Sequence, residues 1–300
     1  MDLQMLAFVT VVEEQSFTRA AEKLHISQPA ISQHIQNLEQ RLEVKLLDRT
    51  SKYVRLNRAG EVVYHHAKEI LNRYQLMRRL IEDLKTEASG PLHIGASFTF
   101  GEYLLPHIVA AFRRQYPQIQ PSITIENTHH VLEEVSRGHL DIGIVEGLSI
   151  PEKDVLVIPF AEDTMVLVAA SQHPLASKGF ATREDLEQEC WIVREPGSGT
   201  REMTDYVWKT FHIRPKTVIE YATTQVIKES VEAGLGISLL SIWAVRKEQM
   251  CDALRTIRFT EAPIQRKFSI VLRKSDFQPK SIQLFKQFLL ENTLRPPHQW

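Results

Sequence analysis

The first 60 residues alternate short apolar stripes with polar turns. Apolar side chains that recur every three or four residues lie on one face of a helix. Three such stripes follow one another: Leu3, Leu6, Phe8, Val9 and Val12; then Phe17, Ala20, Ala21 and Leu24; then Ile31, Ile35, Leu38 and Leu42. Residues 51–56 are typical of a small β-wing. The pattern predicts three short helices followed by a wing.

A longer helix is predicted from about residue 58 to residue 88. Asn57 can cap its start, and Glu61 places a negative charge in its first turn. Its apolar positions repeat at alternating spacings of four and three: Val63, Ala67, Ile70, Tyr74, Met77, Ile81, Leu84 and Ala88. A heptad repeat of this length predicts a coiled-coil seam with a second chain. An amphipathic helix packed on its own domain is the alternative.

Ser-Gly-Pro at 89–91 breaks this helix and marks a linker, and the pattern then changes to alternating strands and helices. Strands are predicted over 92–96, 122–126, 140–145, 165–170, 190–193, 218–221, 237–240 and 268–272. Helices are predicted over 103–115, 131–136, 201–211, 224–233 and 281–292. This alternation implies parallel βαβ units and an α/β region.

The composition is that of an ordinary globular protein, and 300 residues suggest two or three domains. No apolar run reaches the roughly 20 residues that a membrane span needs. The first residues lack the basic region and cleavage site of a signal peptide, so we expect a cytoplasmic protein. Cys190 and Cys251 lie far apart without a His cluster at metal-ligand spacing. We expect two reduced thiols in a core, with a regulatory disulfide as the alternative.

The net charge of −1 argues against a protein that coats nucleic acid indiscriminately. Specific DNA binding needs only a local basic patch. Six basic residues fall in one window, opposed only by Glu43 and Asp48: Arg41, Lys45, Arg49, Lys52, Arg55 and Arg58. The sequence therefore predicts a basic surface around the wing.

Residues 16–35 have the spacing of a helix-turn-helix. Small residues at 20–21 permit close helix approach, and 25–26 form the turn. Ser27 is a good N-cap, and Pro29 lies in the first turn, where no backbone N–H is needed. The outward side of the second helix carries Gln28, Ser32, Gln33 and Gln36. Short polar and amide side chains suit readout of the DNA major groove; an ordinary polar helix face is the alternative.

These residues resemble the N-terminal domain of LysR-type transcriptional regulators. The resemblance rests on Ser-Phe-Thr-Arg-Ala-Ala-Glu-Lys-Leu at 16–24, Ser-Gln-Pro-Ala-Ile-Ser-Gln-His-Ile at 27–35, Leu-Glu at 38–39 and Leu-Leu-Asp-Arg at 46–49. In the effector region, Pro-Gly-Ser-Gly-Thr-Arg at 196–201 resembles the subgroup that regulates carbon fixation and sulfite or sulfur assimilation.

The resemblance covers the whole chain and implies an α+β multidomain protein. Its parts are a winged helix-turn-helix domain over 1–60, a linker and dimerisation helix over 58–89, and an effector-binding domain over 90–300. The last part is similar to type-2 periplasmic binding proteins, with two α/β subdomains joined by two crossing strands. Subdomain one is expected at about 91–160 and 267–300, and subdomain two at about 161–266.

The resemblance also implies roles for single residues. The second helix would enter the major groove, so that base edges are approached by Gln28, Pro29, Ser32 and Gln33, with Gln36 beside them. Phosphate would be bound by Thr18, Ser27, Arg49, Lys52 and Arg55. Many family members have Arg where this chain has Gln33, so an amide–adenine pairing is favoured here over an Arg–guanine contact.

Three junctions between a predicted strand and a predicted helix carry hydroxyl groups. They lie near residues 97–101, 127–128 and 194–201. Glycines at 197 and 199 let the backbone approach a ligand closely, and helix N-termini supply N–H donors. The candidate effector residues are Ser97, Phe98, Thr99, Thr128, Ser198, Gly199 and Thr200. We expect one small anionic effector between the subdomains; ordinary capped turns are the alternative.

Other functional classes find little support. The chain has no Ser/His/Asp or Cys/His arrangement, no metal-ligand cluster and no Walker loop, so no enzyme, cofactor or metal site is predicted. A solute-binding protein would explain residues 91–300 but not the first 90. The predicted partners are double-stranded operator DNA, a second copy through the linker helix and RNA polymerase, with no membrane. Dimer and tetramer, and activation and repression, stay open.

Overall fold

The computed structural model describes residues 2–50, 53–84, 88–148, 154–259, 263–275 and 277–292. The chain divides into two compact units, Met1–Lys85 and Thr86–Trp300. Each unit has its own apolar core. None of the helices in the described ranges is both long and apolar enough to cross a membrane.

The described part of the first unit contains helices around a two-stranded wing. The helices are α1 (Leu3–Glu14), α2 (Phe17–Leu24), α3 (Gln28–Arg41) and α4 (Arg58–Asp83), and the antiparallel strands are β1 (Leu47–Thr50) and β2 (Tyr53–Leu56). Each helix begins at a side chain that accepts backbone N–H groups: Asp2, Ser16, Ser27 and Asn57. The three predicted apolar stripes meet in one core, which confirms the predicted helices.

The predicted seam on α4 is only partly free. Ala67 is buried in the core of the first unit and Val63 packs against that core, so the prediction of a seam with a second chain is wrong for these two residues. The heptad pattern does not distinguish a partner helix from the helix's own domain, and here α1 covers this stretch. The helix ends at Asp83 rather than at 88, and residues 85–87 lie outside the described residues. The later apolar positions stay exposed: Ile70, Met77, Ile81 and Leu84.

The second unit begins with strands and helices in alternation. In chain order these are β3 (Gly90–Ser97), α5 (Phe98–Tyr103), α6 (Leu105–Gln115), β4 (Ile119–Glu126), α7 (Thr128–Arg137), β5 (Ile142–Gly147) and β6 (Val155–Ala170). They continue with α8 (Pro174–Lys178), α9 (Arg183–Gln188), β7 (Cys190–Arg194), α10 (Gly199–Thr210), β8 (Thr217–Tyr221), α11 (Thr224–Glu232), β9 (Ser238–Ser241), α12 (Ile242–Met250), β10 (Leu254–Ile257), β11 (Ile264–Arg273) and α13 (Lys280–Glu291).

Two long strands join the halves of this unit. The large sheet has the order β10-β6-β11-β5-β3-β4, with β9 also paired to β6, and β7 and β8 form a separate pair. Parallel pairing holds for β3 with β4 and β5, and for β7 with β8. The expectation of parallel units is wrong for β6 and β11, which pair antiparallel along their lengths. These are the two crossing strands that the resemblance implied.

Several boundaries differ from those predicted. Strand β6 begins at Val155 rather than at 165; Pro159, Glu162 and Asp163 interrupt the apolar run of its first half, so that half was not predicted. Gly90 and Pro91 lie in β3 instead of a linker. The short helices α5, α8 and α9 and the strand β10 were not predicted, since four to six residues carry too little periodicity, and the nine-residue helix α12 was also missed. Apolar clusters lie on both sides of the crossing strands, one around Phe112 and one around Trp191.

The two thiols lie apart and are free. Cys190 is half-buried, and its burial together with the neighbouring Glu189 raises the pKa of its thiol. Cys251 is exposed, so the expectation that both thiols lie in a core is wrong for this residue.

Candidate functional site

The second helix of the helix-turn-helix, α3, is held by its apolar side. Ile31, Ile35 and Leu38 are fully buried, and His25 ends α2 in the left-handed conformation with φ of 56°. Ser27 caps α3 by accepting the backbone N–H of Ala30 at 3.4 Å. The helix therefore has one orientation on the domain, and its other side is available to a partner.

The polar side of α3 carries the predicted DNA-reading residues. Gln28, Pro29 and Gln33 are exposed, and Ser32 and Gln36 are partly exposed. Gln28 Nε2 donates to Ser32 Oγ at 3.2 Å, and Gln33 Nε2 donates to Asn37 Oδ1 at 2.8 Å. These bonds run along the helix, so the amides can turn outward to a base edge without unfolding anything.

A buried carboxyl group fixes the chain between α3 and the wing. Glu39 is 3% exposed; its Oε1 accepts the backbone N–H of Leu46 at 2.9 Å and its Oε2 lies 2.8 Å from Lys45 Nζ. Gly60 packs on the same segment, where an added Cβ would lie 2.0 Å from the Leu46 carbonyl oxygen. No role was predicted for Glu39, although an acidic residue next to Leu38 in an apolar stripe indicates a carboxyl group that is buried with partners.

The basic window is partly neutralised by the fold. Arg41 pairs with Asp2 at 2.7 Å, and Arg58 pairs with Glu61 at 3.1 Å. Arg55 is exposed on β2, and Thr18 is exposed in the first turn of α2. Two further predicted phosphate contacts cannot be located: Lys52 lies outside the described residues, as does the side chain of Arg49.

In the second unit, a buried arginine lies between the two halves. Arg266 on β11 stands opposite Asp163 on β6 in the antiparallel register, and its Nε donates to Asp163 Oδ2 at 2.7 Å. Its Nη2 donates to Thr99 Oγ1 at 3.0 Å and its Nη1 to Thr200 Oγ1 at 3.1 Å. Thr99 belongs to α5 and Thr200 to α10, so one guanidinium group joins two of the three predicted junctions.

The third junction is joined through Glu146 on β5, by the main-chain carbonyl of this residue, whose carboxyl group is also buried. Ser97 Oγ donates to Glu146 Oε2, and Thr128 Oγ1 donates to the Glu146 carbonyl oxygen at 2.9 Å. Glu146 Oε1 lies 3.8 Å from Arg266 Nη1. The structure thus brings the predicted residues Ser97, Thr99, Thr128 and Thr200 together around two charged groups.

The start of α10 closes against this cluster. An added Cβ on Gly199 would lie 2.0 Å from the Glu146 carbonyl oxygen, so only glycine fits there. Ser198 caps α10 by accepting the N–H of Thr200 at 3.2 Å. Gly197 has φ of +90°, which side chains rarely adopt, and its carbonyl accepts the N–H of His129 at 3.1 Å. The hydroxyl oxygen of Ser198 therefore already accepts a hydrogen bond from its own helix.

A second buried arginine lies beside the first cluster. The Arg194 guanidinium carbon is 4.2 Å from the centre of the Phe98 ring, and two of its nitrogens donate to Glu195 at 2.7 and 2.8 Å. Its Nη1 donates to Thr224 Oγ1 at 3.3 Å. Phe98 is thus covered by a cation from the other half, which gives this predicted residue a definite contact.

Sequence analysis missed the charged residues that organise the cleft: Glu146, Asp163, Arg194 and Arg266. Each is a charged residue next to apolar positions of a predicted strand or of an extension of one, and each is at most 2% exposed. Such residues are rarely buried unless paired. A charge inside an apolar strand was therefore a signal, but the sequence does not show which partner it meets.

Two family descriptions match the chain. The one described as "Bacterial regulatory helix-turn-helix protein, lysR family" matches residues 3–61, and the one described as "LysR substrate binding domain" matches residues 85–294. Among curated relatives, the HTH-type transcriptional regulator CysL of Bacillus subtilis (strain 168) is 37% identical over 285 residues, 95% of each chain. A probable RuBisCO transcriptional regulator of Cyanidioschyzon merolae is 33% identical over 293 residues, 96% of each chain.

Solved structures are similar over the same length. A full-length OxyR variant from Pseudomonas aeruginosa is 27% identical, covers 99% of both chains and superposes with a TM-score of 0.74. The regulatory domain of Synechocystis PCC6803 CcmR in complex with 2-PG is 26% identical, with a TM-score of 0.62. That domain corresponds to 68% of this chain and matches over 97% of its own length.

Proposed function

The chain belongs to the LysR family of transcriptional regulators, and from that membership we propose which of its residues read DNA and which bind the effector. Its relatives are regulators rather than enzymes, and its two parts are a helix-turn-helix domain and an effector-binding domain. The proposal is that α3 reads an operator and that the cleft around Arg266 binds a small anion. The observation that carries the effector part of the proposal is the single guanidinium group of Arg266, which contacts Thr99 and Thr200 across the cleft.

For DNA reading, the support is the division of α3 into a buried apolar side and an exposed side of amides and hydroxyls. Base contacts would come from Gln28, Pro29, Ser32, Gln33 and Gln36. Phosphate contacts would come from Thr18 and Ser27 at helix starts and from the basic residues Arg49, Lys52 and Arg55 of the wing. Because a transcriptional regulator acts on DNA together with RNA polymerase, we propose that the protein is cytoplasmic and that RNA polymerase is a partner.

For self-association, the support is the exposed apolar stripe on the second half of α4. Ile70, Met77 and Ile81 are each close to half exposed, and Leu84 is 86% exposed. Spacings of seven, four and three keep these side chains on one face, the arrangement of a two-helix seam. We propose that a second copy covers this stripe, giving a dimer that can pair into a tetramer.

For the effector, the support is a set of hydrogen-bond donors at the cleft that are available to a ligand. The hydroxyls of Thr99 and Thr200 accept from Arg266 and, among the described residues, donate to no atom. The first turn of α10 adds backbone N–H groups without partners within the helix. The CcmR domain solved with 2-PG is a relative whose structure contains a small ligand.

Glu146 narrows the class of effector. With both carboxyl groups ionised, the cluster of Arg266, Asp163 and Glu146 has one positive and two negative charges. A bare anion would meet repulsion from Glu146, whereas a molecule that also carries a hydroxyl or an acidic proton could donate to that carboxylate. We therefore propose a small hydroxy acid or a phosphate that keeps one proton, with its anionic group toward Thr99, Thr200 and α10.

Replacing Ser32 and Gln33 together with Ala is expected to remove the preference for the operator while retaining binding to random DNA. Each lost base contact should cost about 1–3 kcal/mol. Arg55→Ala should instead weaken binding to both DNAs and lower the salt dependence. Titration of operator and random duplexes at several salt concentrations measures this, with exposed Gln40→Ala as control. Equal losses on both DNAs in the first variant would contradict the proposal.

Replacing Ile70 and Ile81 with Glu is expected to convert the assembled protein to a monomer, because two charges would enter an apolar seam. Both side chains are exposed in the single chain, so the fold itself should survive. Sedimentation velocity measures the change, and Gln75→Glu, a charge on a different face of α4, should leave the assembly intact. An unchanged assembly in the double variant would show that another surface holds the chains together.

Replacing Glu146 with Gln is expected to tighten the binding of sulfate, an anion without a proton to donate at neutral pH, by roughly tenfold, because a like charge is removed from the cleft. Thr200→Val should weaken it. Calorimetry of both variants measures this, and Glu232→Gln, an exposed change in the same unit, is the control for net charge. Weaker or unchanged sulfate binding in Glu146→Gln would argue that the anion does not enter beside Glu146.

A further inference from the structure

Three metal-ligating side chains meet on the surface of α4. His65 Nε2 lies 3.7 Å from Glu69 Oε1, and His66 Nδ1 lies 3.6 Å from Glu69 Oε2. One donor atom from each residue lies within 4.8 Å of the other two. No metal ligands were predicted here, because His-His-x-x-Glu is not a recognised ligand spacing in the sequence and its side chains meet only on the surface of a helix.

The spacing fits a tetrahedral metal ion without movement of the backbone. Zinc bonds of about 2.0–2.2 Å to nitrogen and oxygen place neighbouring ligands about 3.4 Å apart in a tetrahedron. The two distances of 3.6 and 3.7 Å, each to a different oxygen of Glu69, are close to this value, and the third donor-to-donor distance is within 4.8 Å, so side-chain rotations would bring the donors onto one ion. The helix supplies the arrangement, since Glu69 is four residues after His65 and three after His66 and its carboxyl group can reach both imidazoles.

The two contacts with Glu69 are within ion-pair distance but are not hydrogen bonds. At 3.6 and 3.7 Å the imidazoles are too far from Glu69 for a hydrogen bond. The side chains of His65, His66 and Glu69 are 59%, 64% and 49% exposed, so packing does not hold them together. Other His–carboxylate pairs, such as His139 with Glu134 at 3.0 Å, use a single imidazole. Within the described ranges, this group alone combines three such ligands.

We propose that His65, His66 and Glu69 bind one divalent transition-metal ion of the zinc class. Two imidazole nitrogens and one carboxylate oxygen suit zinc, and water would complete the coordination. An exposed site with a water ligand exchanges its metal readily, which suits a sensor or modulator of α4 rather than a structural metal. Bound metal would clamp one turn of α4 beside Val62 and Ile70, two exposed apolar residues.

The site is independent of the DNA and effector proposals. Its three ligands lie on one helix of one chain, so neither operator, effector nor a second copy is needed to fill it. A failure of the metal test therefore leaves the proposed function standing, and the reverse also holds.

The test is calorimetric titration of the untagged full-length protein with Zn²⁺ near neutral pH, where imidazole is mostly unprotonated. We expect one Zn²⁺ per chain at this site, and an excess of Mg²⁺ should not displace it, because Mg²⁺ prefers oxygen ligands. His65→Gln with His66→Gln should weaken binding at least tenfold, and Glu69→Gln should weaken it measurably. Gln is a good helix former, so α4 should stay folded.

The matched control is His129→Gln with His130→Gln. This is also an adjacent pair beside a carboxylate, but His130 Nδ1 is 4.0 Å from Glu126 and no three-ligand group forms there among the described residues. Zn²⁺ affinity equal to wild type in this control and lost in the first double variant supports the site. Two results overturn it: no Zn²⁺ binding by the wild type, or equal binding by wild type and the His65, His66 double variant.

Discussion

The arrangement of the effector-binding unit depends on one guanidinium group without solvent contact. Arg266 is paired with Asp163, and both side chains are 0% exposed. Taking a charge out of water costs several kcal/mol, and the cost is recovered only if the remaining donors also find partners. Thr99 and Thr200 supply those partners from opposite sides of the cleft. The two halves are therefore constrained to meet at one point, because separating them would leave part of a buried cation without partners.

This constraint explains why the cleft is suited to regulation. A ligand shifts an equilibrium between two arrangements only by the difference in its affinity for them. A molecule that contacts Thr99 and Thr200 touches α5 and α10 at once, and it does so beside the charge that already joins them. Under the proposed function, the contacts of Arg266, the position of Glu146 and the charge of the effector are thus parts of one electrostatic balance.

Local patterns in the sequence predicted the first unit well. The apolar stripes, the caps Ser27 and Asn57 and the turn at His25 are set by residues close together in the chain. The hydroxyl-bearing junctions were found in the same way. The charged centre was not, because Arg266 and Asp163 are 103 residues apart and meet only through the register of β6 and β11. Similarly, the repeat on α4 showed an apolar face but not that Ala67 is covered by its own domain.

The most direct test of the central claim is a double-mutant cycle on Asp163→Asn and Arg266→Met. All four tryptophans belong to the second unit, so tryptophan fluorescence during urea unfolding reports on that unit. Each single variant should lose about 3–5 kcal/mol, because it leaves an unpaired buried charge. The double variant should lose clearly less than the sum of the two. Additive losses, or single losses well below about 1 kcal/mol, would contradict the claim that the arrangement of this unit depends on the buried pair of Arg266 with Asp163.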